Sequence, residues 1–208
     1  LRPGDVFIDI GANIGWHALH AARRVGETGR VHAFEPRGQT FALLQRSIVD
    51  NGLGGVCAAH RLALGASVRA GRLVGAAEST NAGGFRLARD ETETFDGMVS
   101  EAVRIAPLDS LDLGGPVRLM KLDVEGAEPE VLQGARVLLA RDRPVILAEW
   151  HAPALRHVCG LDAAGFAALI ADLGYRIHAL VDGVAGAEIE DAGRLGDPHP
   201  VNVALLPI

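Results

Sequence analysis

The sequence predicts a doubly wound α/β fold, a mostly parallel sheet of seven strands with an antiparallel edge strand. Three observations carry this. Short, nearly continuous apolar runs alternate with helical patterns along the 208 residues. The first run, 5–10, shows no period-two alternation and stops at Gly11, as a strand buried on both faces requires. The last two runs are joined without a helix, so they pair antiparallel at one edge.

Residues 5–10 are the first strand, and after it Ile14, Leu19, Ala21, Ala22 and Val25 recur at helical spacing until 26–29 supply a stop. A second strand at 30–35, a helix at 39–51 closed by Asn51-Gly52 and a third strand at 56–64 complete a βαβαβ start. Residues 65–106 break the rhythm. Short alternating pieces such as 71–76 and 102–106 lie between polar links, which reads as a loop-rich excursion with one or two antiparallel strands. The rhythm resumes with a strand at 117–124, a helix at 129–140, a strand at 144–150, a helix at 163–173 and a strand at 175–181. A Gly/Pro-rich link, 183–200, leads to the last strand at 201–206. No repeat or linker divides the chain, so 1–208 reads as one domain, and its start at Leu1 in place of methionine suits a trimmed chain, a processed chain or one domain of something longer.

Twenty Lys and Arg against 26 Asp and Glu leave a formal charge of -6, which removes the general attraction to phosphate backbones and anionic lipid. Neither nucleic acid nor membrane is an expected partner. Cys57 and Cys159 lack C-x-x-C partners, so no zinc knuckle or disulfide framework is encoded. That usage, with no leader and no apolar run approaching the roughly 18 residues of a membrane span, suits the cytoplasm. Composition says nothing of oligomeric state.

In open α/β sheets ligands bind at the carboxyl ends of the strands where chain order reverses, so the first strand-turn-helix is the place to look for chemistry. It reads Asp9-Ile10-Gly11-Ala12-Asn13-Ile14-Gly15. A dinucleotide fingerprint starting at Gly11 needs glycine at 13 and 16, where Asn13 and Trp16 stand, and no phosphate-loop lysine follows. Asp9 opposes a pyrophosphate and favours a cationic ligand, and S-adenosylmethionine is a sulfonium without phosphate. Glu35, 24 residues after Gly11, ends the second strand where a carboxylate accepts ribose hydroxyls, and Pro36 turns the chain away. If Asp9 only caps a helix and Gly11 only makes a turn, Glu35-Pro36 stays unexplained.

These blocks, together with Lys121-Leu122-Asp123-Val124-Glu125-Gly126-Ala127-Glu128, Val131-Leu132-x-Gly134-Ala135 and Pro144-Val145-Ile146-x-x-Glu149, resemble the FkbM family of S-adenosylmethionine-dependent methyltransferases from about residue 5 to 150. The Lys-x-Asp-Val-Glu-Gly block is the most specific of them. The resemblance implies a Rossmann-like class I methyltransferase fold and O-methylation of a sugar or other natural-product hydroxyl. It also implies a cofactor turn of Asp9, Gly11, Ala12, Asn13 and Gly15, with Glu35 and Pro36 at the ribose and Ala63 and Leu64 along the adenine.

Methyl transfer to oxygen needs an acceptor held in line and relieved of its proton. Asp123 ends the fourth strand beside the first, and Lys121 shares its strand face, either orienting it or simply pairing with an acid. Glu149 and His151 end the fifth strand with the same spacing. His151 is the preferred base, with Asp123 or Glu149 orienting it. The competing readings are a divalent ion such as Mg²⁺ on Asp123, Glu149 and His151, and a structural histidine; no metal is assigned. For Glu125 and Glu128, at a helix start, capping and catalysis both stand. His17 and His20 read as helix surface, Trp16 as packing or a cofactor border, and 78–85 as a lid or a connector. The functional alternatives are a nicotinamide-dependent oxidoreductase and a non-catalytic domain that keeps the cofactor fold.

Overall fold

The structure, a computed structural model, describes residues 1–77, 84–90 and 92–208, so most of the segment read as a lid lies outside the described residues. In chain order the elements are β1 (Val6–Ile10), α1 (Trp16–Val25), β2 (Arg30–Phe34), α2 (Gly38–Asp50), β3 (Cys57–His60), β4 (Ala63–Leu64), β5 (Arg69–Ala76), β6 (Arg86–Leu87) and β7 (Met98–Ala106). Then follow β8 (Val117–Leu122), α3 (Glu128–Gln133), α4 (Arg136–Asp142), β9 (Val145–Trp150), α5 (Ala152–Cys159), α6 (Ala163–Asp172), β10 (Tyr175–Val181), β11 (Val184–Glu188) and β12 (Val201–Pro207).

The main sheet runs β11-β10-β12-β9-β8-β1-β2-β3. From β9 to β3 every pairing is parallel, and the three pairings from β9 to β11 are antiparallel. Strand alternation divides β1 between two cores. Phe7 packs with α1 and α2 on one face, while Ile8 and Ile10 join Met120, Leu122, Ile146 and helices α3 to α6 on the other. Chain order reverses between β1 and β8, which opens a crevice at their carboxyl ends.

The departures from the sequence reading have local causes. The run at 56–64 is not one strand: β2 ends at Phe34, opposite His60, so β3 has no neighbour beyond that point and β4 crosses to pair with β7. The excursion builds a second sheet, β4-β7-β5-β6, whose β5 and β7 pair over eight residues. The helix at 129–140 is two helices. A Cβ at Gly134 would lie 2.1 Å from the Gly65 carbonyl, so the chain packs there without a side chain, and Asp109 starts α4 by accepting the Val137 and Leu138 N–H groups. The last strand, β12, lies between β9 and β10, and β11 takes the edge through a two-residue turn at Asp182-Gly183, both at positive φ. Helix α5, opened by Pro153 and closed by Gly160 at φ 69°, was not read from the sequence.

Among the described residues no single helix is long and apolar enough to cross a membrane. The pair α5 and α6 together reaches that length and composition but bends by 81°, and Leu155, Phe166 and Ile170 are buried in the main core.

A histidine pair under the sheet edge sets one pH dependence. The His32 Nε2–H donates to the Leu113 carbonyl (3.2 Å), which leaves Nδ1 to accept from His60 Nε2 (3.1 Å). Burial holds both rings below the usual imidazole range, with a backbone bond opposing this at His32 and the neighbouring His32 adding to it at His60. The unfolded chain therefore takes up protons first, and this contribution to stability is lost as pH falls from about 6.5. In thermal melts from pH 7.5 to 5, the Tm advantage of wild type over His60→Phe should shrink on acidification by about 3 °C, roughly 1 kcal/mol. A constant difference would refute the pair's role.

Candidate functional site

A cavity of about 440 Å³ opens at the carboxyl ends of β1, β2 and β8, within the range of small-molecule sites. Its floor is the first turn. Gly11 at φ 76° has no room for a Cβ, which would lie 1.8 Å from the Asp123 carbonyl, so two strand ends approach there as closely as backbones can. Asn13 follows at φ 50°, and its N–H donates to Glu35 Oε2 (3.0 Å) while the Arg37 N–H donates to Oε1 (2.9 Å). Glu35 is thus a fixed carboxylate at the end of β2. Burial raises it above the usual range and the two N–H bonds oppose that, leaving lone pairs for hydroxyl donors.

Gly11, Ala12, Asn13, Glu35, Pro36, Ala63 and Leu64 all line this cavity, as does Asp123. Trp16, 68% exposed, borders it, and His17 lines it from α1. Sequence reading missed the wall made by the second sheet, where Leu73, Phe85, Arg86 and Leu87 close one side and the Arg37 guanidinium lies 3.8 Å over the Phe85 ring. Neither the pairing of β5 with β6 nor its reach over the first turn leaves a local pattern in the sequence.

Two cofactor-turn residues sit elsewhere. Asp9 is one residue short of the strand end and faces α1, wholly buried and outside the cavity. Burial raises its carboxyl and the Lys121 ammonium, 3.5 Å from Oδ1, opposes this. Gly15, at φ 97°, lies against Leu44 at the start of α1 and does not reach the cavity. Lys121 Nζ lies 3.2 Å from Asp123 Oδ2, an acid pairing, and also donates to the Gly11 carbonyl (3.0 Å), a contact the sequence did not suggest.

The expected trio of Asp123, Glu149 and His151 does not assemble. His151 precedes α5, and its Nε2 donates to the Pro198 carbonyl (3.2 Å), away from the cavity. The divalent-ion arrangement that required this imidazole has no counterpart in the structure. Glu125 takes its place: carboxylate oxygens of Asp123, Glu125 and Glu149 lie within 4.8 Å of one another. Glu149 lines an adjoining open groove over β8 and β9, and Asp123 borders both spaces. Burial, Glu149 and Asp123 push Glu125 up to about 7, and burial and Asp123 raise Glu149. Beneath them Glu128, 2% exposed, accepts the Val124 and Gly126 N–H groups on Oε1 (3.0 and 3.3 Å). Its role is to tie the loop together.

Residues 9–177 match the family described as the Methyltransferase FkbM domain. The chain belongs to the FkbM methyltransferase family. It is 32% identical over 161 residues to the 31-O-demethyl-FK506 methyltransferase FkbM of Streptomyces tacrolimicus, covering 64% of this chain and 60% of that relative, so it spans about three fifths of the relative's length. Among solved structures it is similar to methyltransferase FkbM from Methylobacillus flagellatus KT, with a TM-score of 0.57 and 19% identity over 99% of this chain and 44% of that one. A Streptococcus mutans protein solved in complex with SAH gives a TM-score of 0.54 at 8% identity, covering 100% of this chain and 91% of the other. At these identities the likeness is one of fold, a Rossmann-like class I methyltransferase fold. In FkbM terms, the Lys121–Glu128 block runs from the end of β8 to the first residue of α3, brings Asp123 and Glu125 to the cavity and buries Glu128 under them.

Proposed function

We propose that this FkbM chain binds S-adenosylmethionine in the 440 Å³ cavity and methylates a hydroxyl oxygen of a small molecule, a sugar or a secondary metabolite. The observation that carries the reading is the cavity floor: a turn without a side chain at Gly11, closed by a Glu35 carboxylate that two backbone N–H groups hold in place. The residues fit the cofactor in chemistry as well as size. Glu35 offers acceptors for ribose hydroxyls, Phe34, Leu64 and Leu73 offer apolar wall for an adenine, and Asp123 and Glu125 put negative charge where a sulfonium is favoured. When bound, the cofactor supplies an electrophilic methyl group and a neutral leaving group. The protein's part is to hold the acceptor in line and accept its proton. The relative's name specifies the 31-O position of demethyl-FK506, which supports a hydroxyl acceptor here. A reducing cytoplasm suits the two free thiols, Cys57 and Cys159.

Calorimetric titration with S-adenosylmethionine, S-adenosylhomocysteine and NAD tests the reading. Both adenosyl ligands should bind and NAD should not. Glu35→Ala should weaken both about 10- to 100-fold, the loss of hydrogen bonds to a charged group worth roughly 1.5–3 kcal/mol. NAD binding alone would replace this reading with a nicotinamide enzyme, and no binding at all would leave a non-catalytic domain. Transfer is then sought with hydroxylated acceptors, 31-O-demethyl-FK506 among them.

A further inference from the structure

Two carboxylates from one loop border the cavity, and their surroundings differ. Asp123 is paired with Lys121, whose ammonium is also engaged by Asp9 and the Gly11 carbonyl. Glu125, half-buried, has no hydrogen bond or ion pair among the described residues; its neighbours in the cluster are two other carboxylates. Its orientation is enforced from several sides. Glu125 stands at φ 56°, Gly126 follows at φ 101° with the Ala154 carbonyl where a Cβ would be, and Glu128 holds the N–H groups on either side. A left-handed non-glycine residue persists only where its surroundings over-determine it. Here they leave an unpaired carboxylate lining the cavity.

We propose that Glu125 is the base that takes the proton of the acceptor hydroxyl, with Asp123 committed to its ion pair with Lys121. The inference rests on the cavity being the methyl-donor site. Burial and the two flanking carboxylates push Glu125 up to about 7, where a carboxylate both remains partly ionised at neutrality and holds a proton well. Environments that set two neighbouring acids apart are a means of assigning their roles. The step balances. As the hydroxyl proton passes to a Glu125 oxygen, the acceptor oxygen forms its bond to the methyl carbon and the carbon–sulfur bond breaks with its pair left on sulfur, cancelling the sulfonium charge. One proton then stays on Glu125 and leaves to solvent before the next turnover.

The charged and titratable groups around this space are Lys121 and Asp123 from the end of β8, Glu149 from β9, His17 from α1, Glu35 and Arg37 after β2, and Arg86 from β6. A pH profile alone therefore does not single out Glu125, and the test uses three readouts. Carboxyl ¹³C NMR of glutamate-labelled protein needs no acceptor. A resonance absent from Glu125→Gln should titrate near neutrality in wild type. Glu125→Gln should bind S-adenosylhomocysteine within threefold of wild type. Its methyl transfer to 31-O-demethyl-FK506, the probe acceptor, should fall about 10²- to 10⁴-fold and lose the acid limb of the kcat profile, while Glu125→Asp recovers part of the rate. A resonance with a midpoint below about 5, or transfer by Glu125→Gln within threefold of wild type, would overturn the assignment. Failure of wild type to bind either adenosyl ligand would instead sink the cofactor reading, independently of what Glu125 titrates.

Discussion

Gly11→Ala should abolish binding of the adenosyl ligands and lower stability by about 4 kcal/mol or more, a Tm loss of roughly 10 °C in a chain of this size. Positive φ contributes only about 1–2 kcal/mol of this. The rest comes from overlap, because the new Cβ would stand 1.8 Å from the Asp123 carbonyl oxygen, and that carbonyl has nowhere to go. Asp123 is tied to β1 by its own N–H on the Ile10 carbonyl (3.2 Å), and Lys121 is tied to the Gly11 carbonyl from the same strand. Relief of the overlap must pry β1 from β8 at the switch point, which is the cavity floor. Gly52→Ala is the control. Gly52 shares the backbone region, φ 68°, but has open space where a Cβ would go, so it should lose only about 1 kcal/mol and leave binding intact. If the two variants melt within about 3 °C of each other, the close approach of the strands is not what makes Gly11 necessary.

How much of this was legible in the sequence depends on whether a feature is local. The parallel strands showed themselves as buried apolar runs, and Gly11, Asn13, Glu35 and Asp123 stand where the turn and strand ends put them. Asp9 misled because counting from Gly11 does not say which face of β1 a side chain takes, and pairing with Lys121 on the next strand settles that. His151 misled in the same way. Two-residue spacing with Glu149 implies a shared face only while the strand continues, and β9 ends at Trp150, where the Pro198 carbonyl draws the imidazole aside. The break between α3 and α4 depends on Gly65 and Asp109, far off in sequence. The Asp182-Gly183 dipeptide is a hairpin signal in its own right, but it stands where the strand at 175–181 meets the Gly/Pro-rich link, whose composition masks the short strand that follows. Glu125 and Glu128 share a helix-start pattern that leaves capping and catalysis both open, and only the folded loop tells them apart, one acid presented to the cavity and the other buried beneath it.

That buried acid gives the second large effect. Glu128→Leu removes the one acceptor shared by the Val124 and Gly126 N–H groups, and each buried donor left unpaired costs about 1–3 kcal/mol. The variant should lose roughly 3–5 kcal/mol and misplace both Asp123 and Glu125. Glu128→Gln keeps an oxygen for the two donors and imitates the protonated carboxyl, so it should fold. The two forms of the acid differ with pH in a definite direction. Burial raises Glu128 to about 7 in the folded protein, against the backbone N–H bonds that oppose it, while the unfolded chain titrates near 4.5. Between those values the folded state holds a proton that the unfolded state has released, so the contribution is fully present below about 4.5 and is lost as pH rises through 7. Wild type and Glu128→Gln should therefore melt together near pH 5, and the variant should gain steadily on wild type toward pH 8, by an amount on the order of 2–3 kcal/mol. The other raised carboxylates, Asp9, Glu35, Glu125 and Glu149, are present in both proteins, so the difference between the two melting curves isolates Glu128. Parallel curves across that range would mean that the loop carrying Asp123 and Glu125 is held by something other than a proton-sharing acid beneath it.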